Sequence, residues 1–124
     1  MTNRSDAPVL RPSRRIRAAL PDDGTERRLV EALRRERGIT RVESVAVRAV
    51  AALGQQKARR GRLPEPRAAR LVTIVVDEAE ADDVFAFVCR AGEIGRPGGG
   101  IVMMDRLLGA TAFALPADVP DEQD

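Results

Sequence analysis

Two stretches of this chain follow one plan. RIRAAL leads through PDDGTE into the apolar-periodic run LVEALRRERG, and LVTIVV leads through DEAE into ADDVFAFVCRAG. In each, an Asp stands three residues before a Glu, Asp23 with Glu26 and Asp77 with Glu80, and a glycine closes the run, Gly38 and Gly92. Each of these recurs at an offset of 54 positions. The spacing predicts a helix start in which the Asp accepts from free backbone N–H groups while the Glu reaches back. The glycines are expected to supply the left-handed residue that helix ends favour.

Leu29, Val30 and Leu33 form the apolar stripe of the first helix, and Val84, Phe85 and Val88 that of the second. A strand-like segment follows each: TRVESVAVRAVAAL alternates, with Val42, Val45 and Val47, and GIVMMDRLL follows the second. The order is βαββαβ. It predicts an α+β, ferredoxin-like fold with a four-stranded antiparallel sheet and two helices on one face. LVTIVV is apolar at nearly every position, so burial on both faces is expected. Two helices cover one face only, and a neighbouring subunit is the natural cover for the other.

A chain of 124 residues supports one domain. Trp and Tyr are absent, and Phe85, Phe87 and Phe113 are the only aromatics, so a small core gains from oligomerisation. The expected layout is a flexible tail over 1–13, a folded domain over 14–116 and an acidic tail over 117–124. No segment approaches the roughly 20 apolar residues of a membrane span, and MTNRSDAPVLRPSRR lacks a signal-peptide core. Cys89, in VFAFVC, reads as a buried thiol in a reducing compartment, and the protein as cytoplasmic.

There is no His, which excludes His-based acid–base chemistry and His-containing metal sites. Asp22, Asp23, Asp82 and Asp83 lie at helix starts, where capping and the helix dipole account for them. Acylphosphatases share the ferredoxin-like fold but need an active-site Asn, and Asn3 is the only one here. No catalytic residue and no metal site are expected.

Between the central strands, GQQKARRGRLPEPRAAR reads as a long exposed loop. Its Lys57, Arg59, Arg60 and Arg62, with Arg67 and Arg70, suit a solvated loop, an acidic protein partner or nucleic-acid phosphates. Sheet-based RNA readers stack bases on strand aromatics, and here only Phe113 is on offer. The stretch GEIGRPGGG is open to two readings: glycines that turn a corner, or a backbone nest for an anion with Arg96 adding charge.

Three pieces resemble the PII signal-transduction proteins and their PII-like relatives. GQQKA, residues 54–58, looks like GRQKG at the base of that family's T-loop. LVTIVVDEAEADDVFAFVCRAG resembles its third strand and second helix, and AGEIGRPGGGIVMM is similar to its B-loop and fourth strand, TGxxGDGxIFV. Together they cover most of Arg14 to Pro116.

The resemblance implies a homotrimer with effector clefts between subunits, a T-loop at about 54–68 and a B-loop at about 92–100. It makes Gly54, Gln56, Gly92, Gly95, Arg96, Gly98, Gly99 and Gly100 the effector-binding candidates. The Gln at the position of Gln56 helps hold a magnesium-bound 2-oxoglutarate in the family. Lys57, Arg59, Arg60 and Arg62 become candidates for docking on a transporter or metabolic enzyme, in nitrogen or inorganic-carbon handling, with a transporter recruiting the protein to the membrane. The implied effector is an adenine nucleotide (ATP, ADP or AMP) or bicarbonate. The alternative is a basic nucleic-acid-binding module.

This chain departs from the family pattern. Its B-loop is two residues longer, the family's B-loop lysine is replaced by Gly100, and of a C-terminal arginine pair only Arg106 remains. Those cations neutralise a triphosphate, so their loss leaves room for ADP, AMP, a cyclic nucleotide or a small anion. Without Tyr, tyrosine modification of the T-loop is excluded.

Overall fold

The computed structural model describes residues 9–49 and 67–112. Its elements are β1 (Arg11–Pro21), α1 (Thr25–Arg37), β2 (Val42–Ala49), β3 (Arg67–Asp77), α2 (Glu78–Ala91) and β4 (Ile101–Ala110). The sheet order is β2-β3-β1-β4, and every neighbouring pair is antiparallel. This is the ferredoxin-like arrangement that the two half-repeats predict.

The helices share one face because alternation on the central strands leaves only one face fully apolar. Ile16, Ala18 and Leu20 of β1 and Val72, Ile74 and Val76 of β3 are buried there, against Leu29 and Leu33 of α1 and Val84, Phe87 and Val88 of α2. Phe87, rather than Phe85, is the buried aromatic, while Phe85 packs at the margin. Cys89 is half-buried rather than buried.

β1 begins at Arg11, upstream of the boundary expected at Arg14. Ser13 is 3% exposed and pairs with Asp77 on one side and Leu107 on the other, so the sheet extends to it. The register with β4 shifts between Ser13 and Arg11.

The helix starts differ from the expected capping boxes. The N-cap of α1 is Gly24, held left-handed at φ 93°, with Asp23 one residue earlier. Asp23 accepts from the Thr25 N–H at 3.1 Å, while Glu26 turns towards Arg70 at 3.9 Å. Asp77 caps α2 without a side-chain hydrogen bond, because β3 runs into the helix with no linker and Asp77 faces Arg11 at 3.8 Å.

The helix ends also divide. Gly38 is left-handed at φ 65°, as expected. Gly92 is not: its φ is −86°, and the left-handed residue is Glu93 at φ 53°. Ile94 N–H donates to Cys89 O at 3.1 Å and Glu93 N–H to Arg90 O at 3.2 Å, the two bonds of a Schellman motif. Gly92 answers a need for space, since a Cβ there would stand 2.8 Å from the Val88 carbonyl oxygen.

Among the described residues, no helix covers the other sheet face. Cross-strand register aligns Val45, Leu71, Ala19 and Ile101 in one apolar row, and Glu43, Thr73, Arg17 and Met103 in the next. Leu71, Thr73 and Val75 are half-buried, so LVTIVV is fully covered on one side only.

Candidate functional site

The turn between β1 and α1, the end of β2, the start of β3 and the loop from α2 into β4 all lie at one end of the sheet. The register fixes this: Ala49 faces Arg67, Pro21 faces Ala69, and Ala19 faces Ile101. The stems at Arg67 and Ile101 flank β1 on either side, two strand spacings across and four residues apart along the strands, roughly 16 Å in all. The stem at Arg67 and the glycine loop therefore share one end of the sheet. Gly54, Gln56, Lys57, Arg59, Arg60 and Arg62 lie outside the described residues.

The glycine loop is built as two successive turns. Arg96 N–H donates to Glu93 O at 3.3 Å and Gly99 N–H to Arg96 O at 3.0 Å. Gly98 at φ 71° and Gly100 at φ 95° take backbone conformations that disfavour a side chain. Gly99 is buried by its own loop, and a Cβ would meet Glu93 O at 2.6 Å and Arg96 O at 3.0 Å. Gly95 differs: its Cβ position has nothing within 4 Å. Among the described residues, the Gly95 and Gly98 N–H groups donate to no backbone acceptor. Of the six candidates Gly92, Gly95, Arg96, Gly98, Gly99 and Gly100, four glycines thus divide into two kinds. Gly92 and Gly99 fill space within the turn, whereas Gly95 and Gly98 keep accessible donors.

Arg96 leaves the loop and crosses to the β1–α1 turn. One Nη donates to Asp23 Oδ2 at 2.8 Å and to Thr25 Oγ1 at 3.0 Å. The other oxygen of Asp23 accepts from Thr25 Oγ1 at 2.5 Å as well as from its N–H. The Thr25 hydroxyl, then Arg96, hold the Asp23 carboxyl far below the usual carboxylate range, and Asp23 in turn strengthens Arg96 as a cation. Arg28 reaches Thr25 Oγ1 at 3.2 Å and stands 3.6 Å from Glu93. This network was not legible from sequence, because Asp23 and Arg96 meet only once β1, α1 and α2 are packed.

Arg106 is not part of this site. It lies five residues along β4 from the loop, about 17 Å away, and its Nε pairs with Glu78 at 3.2 Å. An open cleft of about 260 Å³ lies at the far end of the sheet among Arg11, Arg41, Asp77 and Glu80. Arg11 there faces Asp77, and Arg41 donates to the Thr111 carbonyl at 2.8 Å.

A single-layer antiparallel sheet backed by two helices, with a glycine loop at one end, defines a ferredoxin-like α+β module. More narrowly, this is the fold of the PII proteins. B. subtilis GlnK in complex with ATP matches at 21% identity and a TM-score of 0.60, over 78% of this chain and 85% of that one. A second structure of B. subtilis GlnK matches at 16% identity and a TM-score of 0.58, over 78% and 86%. Arabidopsis thaliana PII bound to citrate matches at 19% identity and a TM-score of 0.56, over 76% of each chain. No protein-family model matches the chain, and no curated protein sequence does.

Proposed function

We propose that this chain is a PII-like regulator, not an enzyme. It forms a homotrimer, binds a small anionic effector beside the loop 92–100 and acts on a partner protein through the loop 54–68. One observation carries the reading: the glycine loop, whose Gly95 and Gly98 N–H groups meet no backbone acceptor among the described residues, shares a sheet end with the stem of the basic loop at Arg67. An effector bound there would touch both. The GlnK and PII structures with this fold hold ATP and citrate respectively, which supports an anionic ligand.

Charge supply favours a modest anion. Arg96 and Arg28 are the cations beside the loop among the described residues, and both already face carboxylates. That supports AMP or ADP over ATP, with bicarbonate as the small-anion case. The trimer reading draws on the uncovered sheet face, where Arg17 Nε is shielded from solvent without a partner among the described residues. The partner class, a transporter or metabolic enzyme in nitrogen or inorganic-carbon handling, rests on the resemblance alone.

The nucleic-acid reading is disfavoured by the strands. Among the described residues none of the four carries an aromatic side chain on which a base would stack.

The test is a thermal-shift series with AMP, ADP, ATP, citrate and bicarbonate, alongside a single-stranded RNA. A true effector at 100 times its dissociation constant adds about 2.7 kcal/mol of stability. A shift with AMP or ADP supports the reading. No shift with any small anion at millimolar concentration, or a shift with RNA alone, overturns it.

A further inference from the structure

We propose that Asp23 is a built-in competitor for the anion, holding Arg96 against the β1–α1 turn and setting both the affinity and the charge preference of the loop. The inference rests on the effector-binding reading above. Asp23 uses its two oxygens for different tasks. Oδ1 is anchored to α1 through the N–H and hydroxyl of Thr25, at 3.1 and 2.5 Å. Oδ2 is presented to Arg96 at 2.8 Å. Thr25 is fully buried, so the anchor is fixed, while the side chains of Asp23 and Arg96 are 41% and 37% exposed and open to a solute.

Helix initiation alone does not require a charge here. The amide oxygen of an asparagine would accept the same two bonds from Thr25. What only a carboxylate supplies is the charge-assisted hold on Arg96, together with a negative field across the loop. An anionic group arriving at the Gly95 and Gly98 amides must share Arg96 with Asp23 or take it away. Each further negative charge on the ligand then meets the same carboxylate. The latch therefore penalises polyanions more than monoanions, in a site otherwise poor in cations.

The experiment titrates the full chain and its Asp23→Asn variant with adenosine, AMP, ADP and ATP at one salt concentration. The variant should bind AMP, ADP and ATP more tightly, by roughly three- to tenfold per ligand charge, with adenosine unchanged. Arg96→Gln should weaken binding of the charged nucleotides, and in that background Asp23→Asn should give a smaller gain, the part that comes from the field of the carboxylate alone. Melting curves of each variant establish that it folds. Amide exchange across Ile94–Gly100, read without nucleotide, should quicken in Asp23→Asn.

Unchanged or weaker nucleotide binding by a folded Asp23→Asn overturns the inference while leaving the effector site standing. A gain that persists at full size without Arg96 overturns it too, as does unchanged amide exchange. If neither wild type nor variant binds any nucleotide, the site reading falls and the inference with it.

Discussion

Arg15 on β1 grips Asp105 on β4 through two hydrogen bonds, Nε to Oδ1 at 3.1 Å and Nη2 to Oδ2 at 2.7 Å. The two residues are register partners on the sheet face that no helix covers. A forked pair of this kind is stronger than a surface contact made through one bond. It places fixed, mutually satisfied charges two rows along from the apolar row of Val45, Leu71, Ala19 and Ile101, with the row of Thr73, Arg17 and Met103 between.

That pair and the Asp23 cluster predict an acid limb in stability. The Arg15 hydrogen bond holds the Asp105 carboxyl below its ordinary range, and the Thr25 hydroxyl, then Arg96, do so for Asp23. A carboxylate depressed on folding contributes stability that is full above its unfolded pKa, near 4, and is lost as pH falls through the folded value. Melting temperature should hold from about pH 7 to 5 and decline below about 4. Asp105→Asn should start lower at neutral pH and decline less steeply. Parallel curves would remove Asp105 from the acid limb.

The uncovered face predicts assembly. Light scattering should give a mass about three times that of the 13.5 kDa chain. Leu71→Glu puts a charge in the middle of the apolar row without touching the helix-side core, so it should shift the mass towards one chain while the far-ultraviolet circular dichroism stays folded. A wild-type protein that is monomeric at micromolar concentration would remove both the trimer and the intersubunit cleft.

Within the glycine loop, Gly95 and Gly99 should respond oppositely. Gly99→Val must displace backbone oxygens, so it should cost about 1–3 kcal/mol in stability. Gly95→Val enters open space at ordinary φ, so it should fold with a near-normal melting point yet weaken effector binding at least tenfold. Calorimetric titration of Gly95→Val is decisive: unchanged affinity would mean that this loop turns a corner and nothing more.

The end of α2 yields a reversal of the simplest expectation. Gly92→Ala should destabilise by about 1–3 kcal/mol because its Cβ meets the Val88 carbonyl. Glu93→Gly should hold or gain up to about 1 kcal/mol, since it relieves a left-handed non-glycine residue. Denaturant unfolding of both variants measures this. The opposite order would return the left-handed role to Gly92.

The element order was legible because two apolar periods repeat with one punctuation, and Leu29, Leu33, Val84 and Val88 sit in the core where that period puts them. Local chemistry was less legible. Asp-x-x-Glu at both helix starts gave no reciprocal capping box, because Gly24 took the N-cap position and Arg70 and Arg11 competed for the carboxylates. Gly92 carried two plausible reasons to be glycine, and spacing cannot tell a need for positive φ from a need for room. Among the described candidates, Gly92, Gly95, Gly98, Gly99 and Gly100 lie with Arg96 in one loop beside the β1–α1 turn. The partner that occupies Arg96 was hidden, since the bond joins residues separated by 73 positions and depends on how α1 packs beside α2.

The strand order has a consequence for how the molecule is put together. β1 pairs with β3 and β4, and β2 pairs with β3, so all three ladders join one half-repeat to the other and none lies within a half. Neither half can knit a sheet by itself; they are interlocked like the fingers of two hands. The last described rung between β2 and β3 is Ala49 with Arg67, and the chain runs from one to the other. A chain severed there should give two pieces that are unstructured apart and regain the sheet when mixed, a split pair whose reassembly reports on whatever the linking loop is bound to.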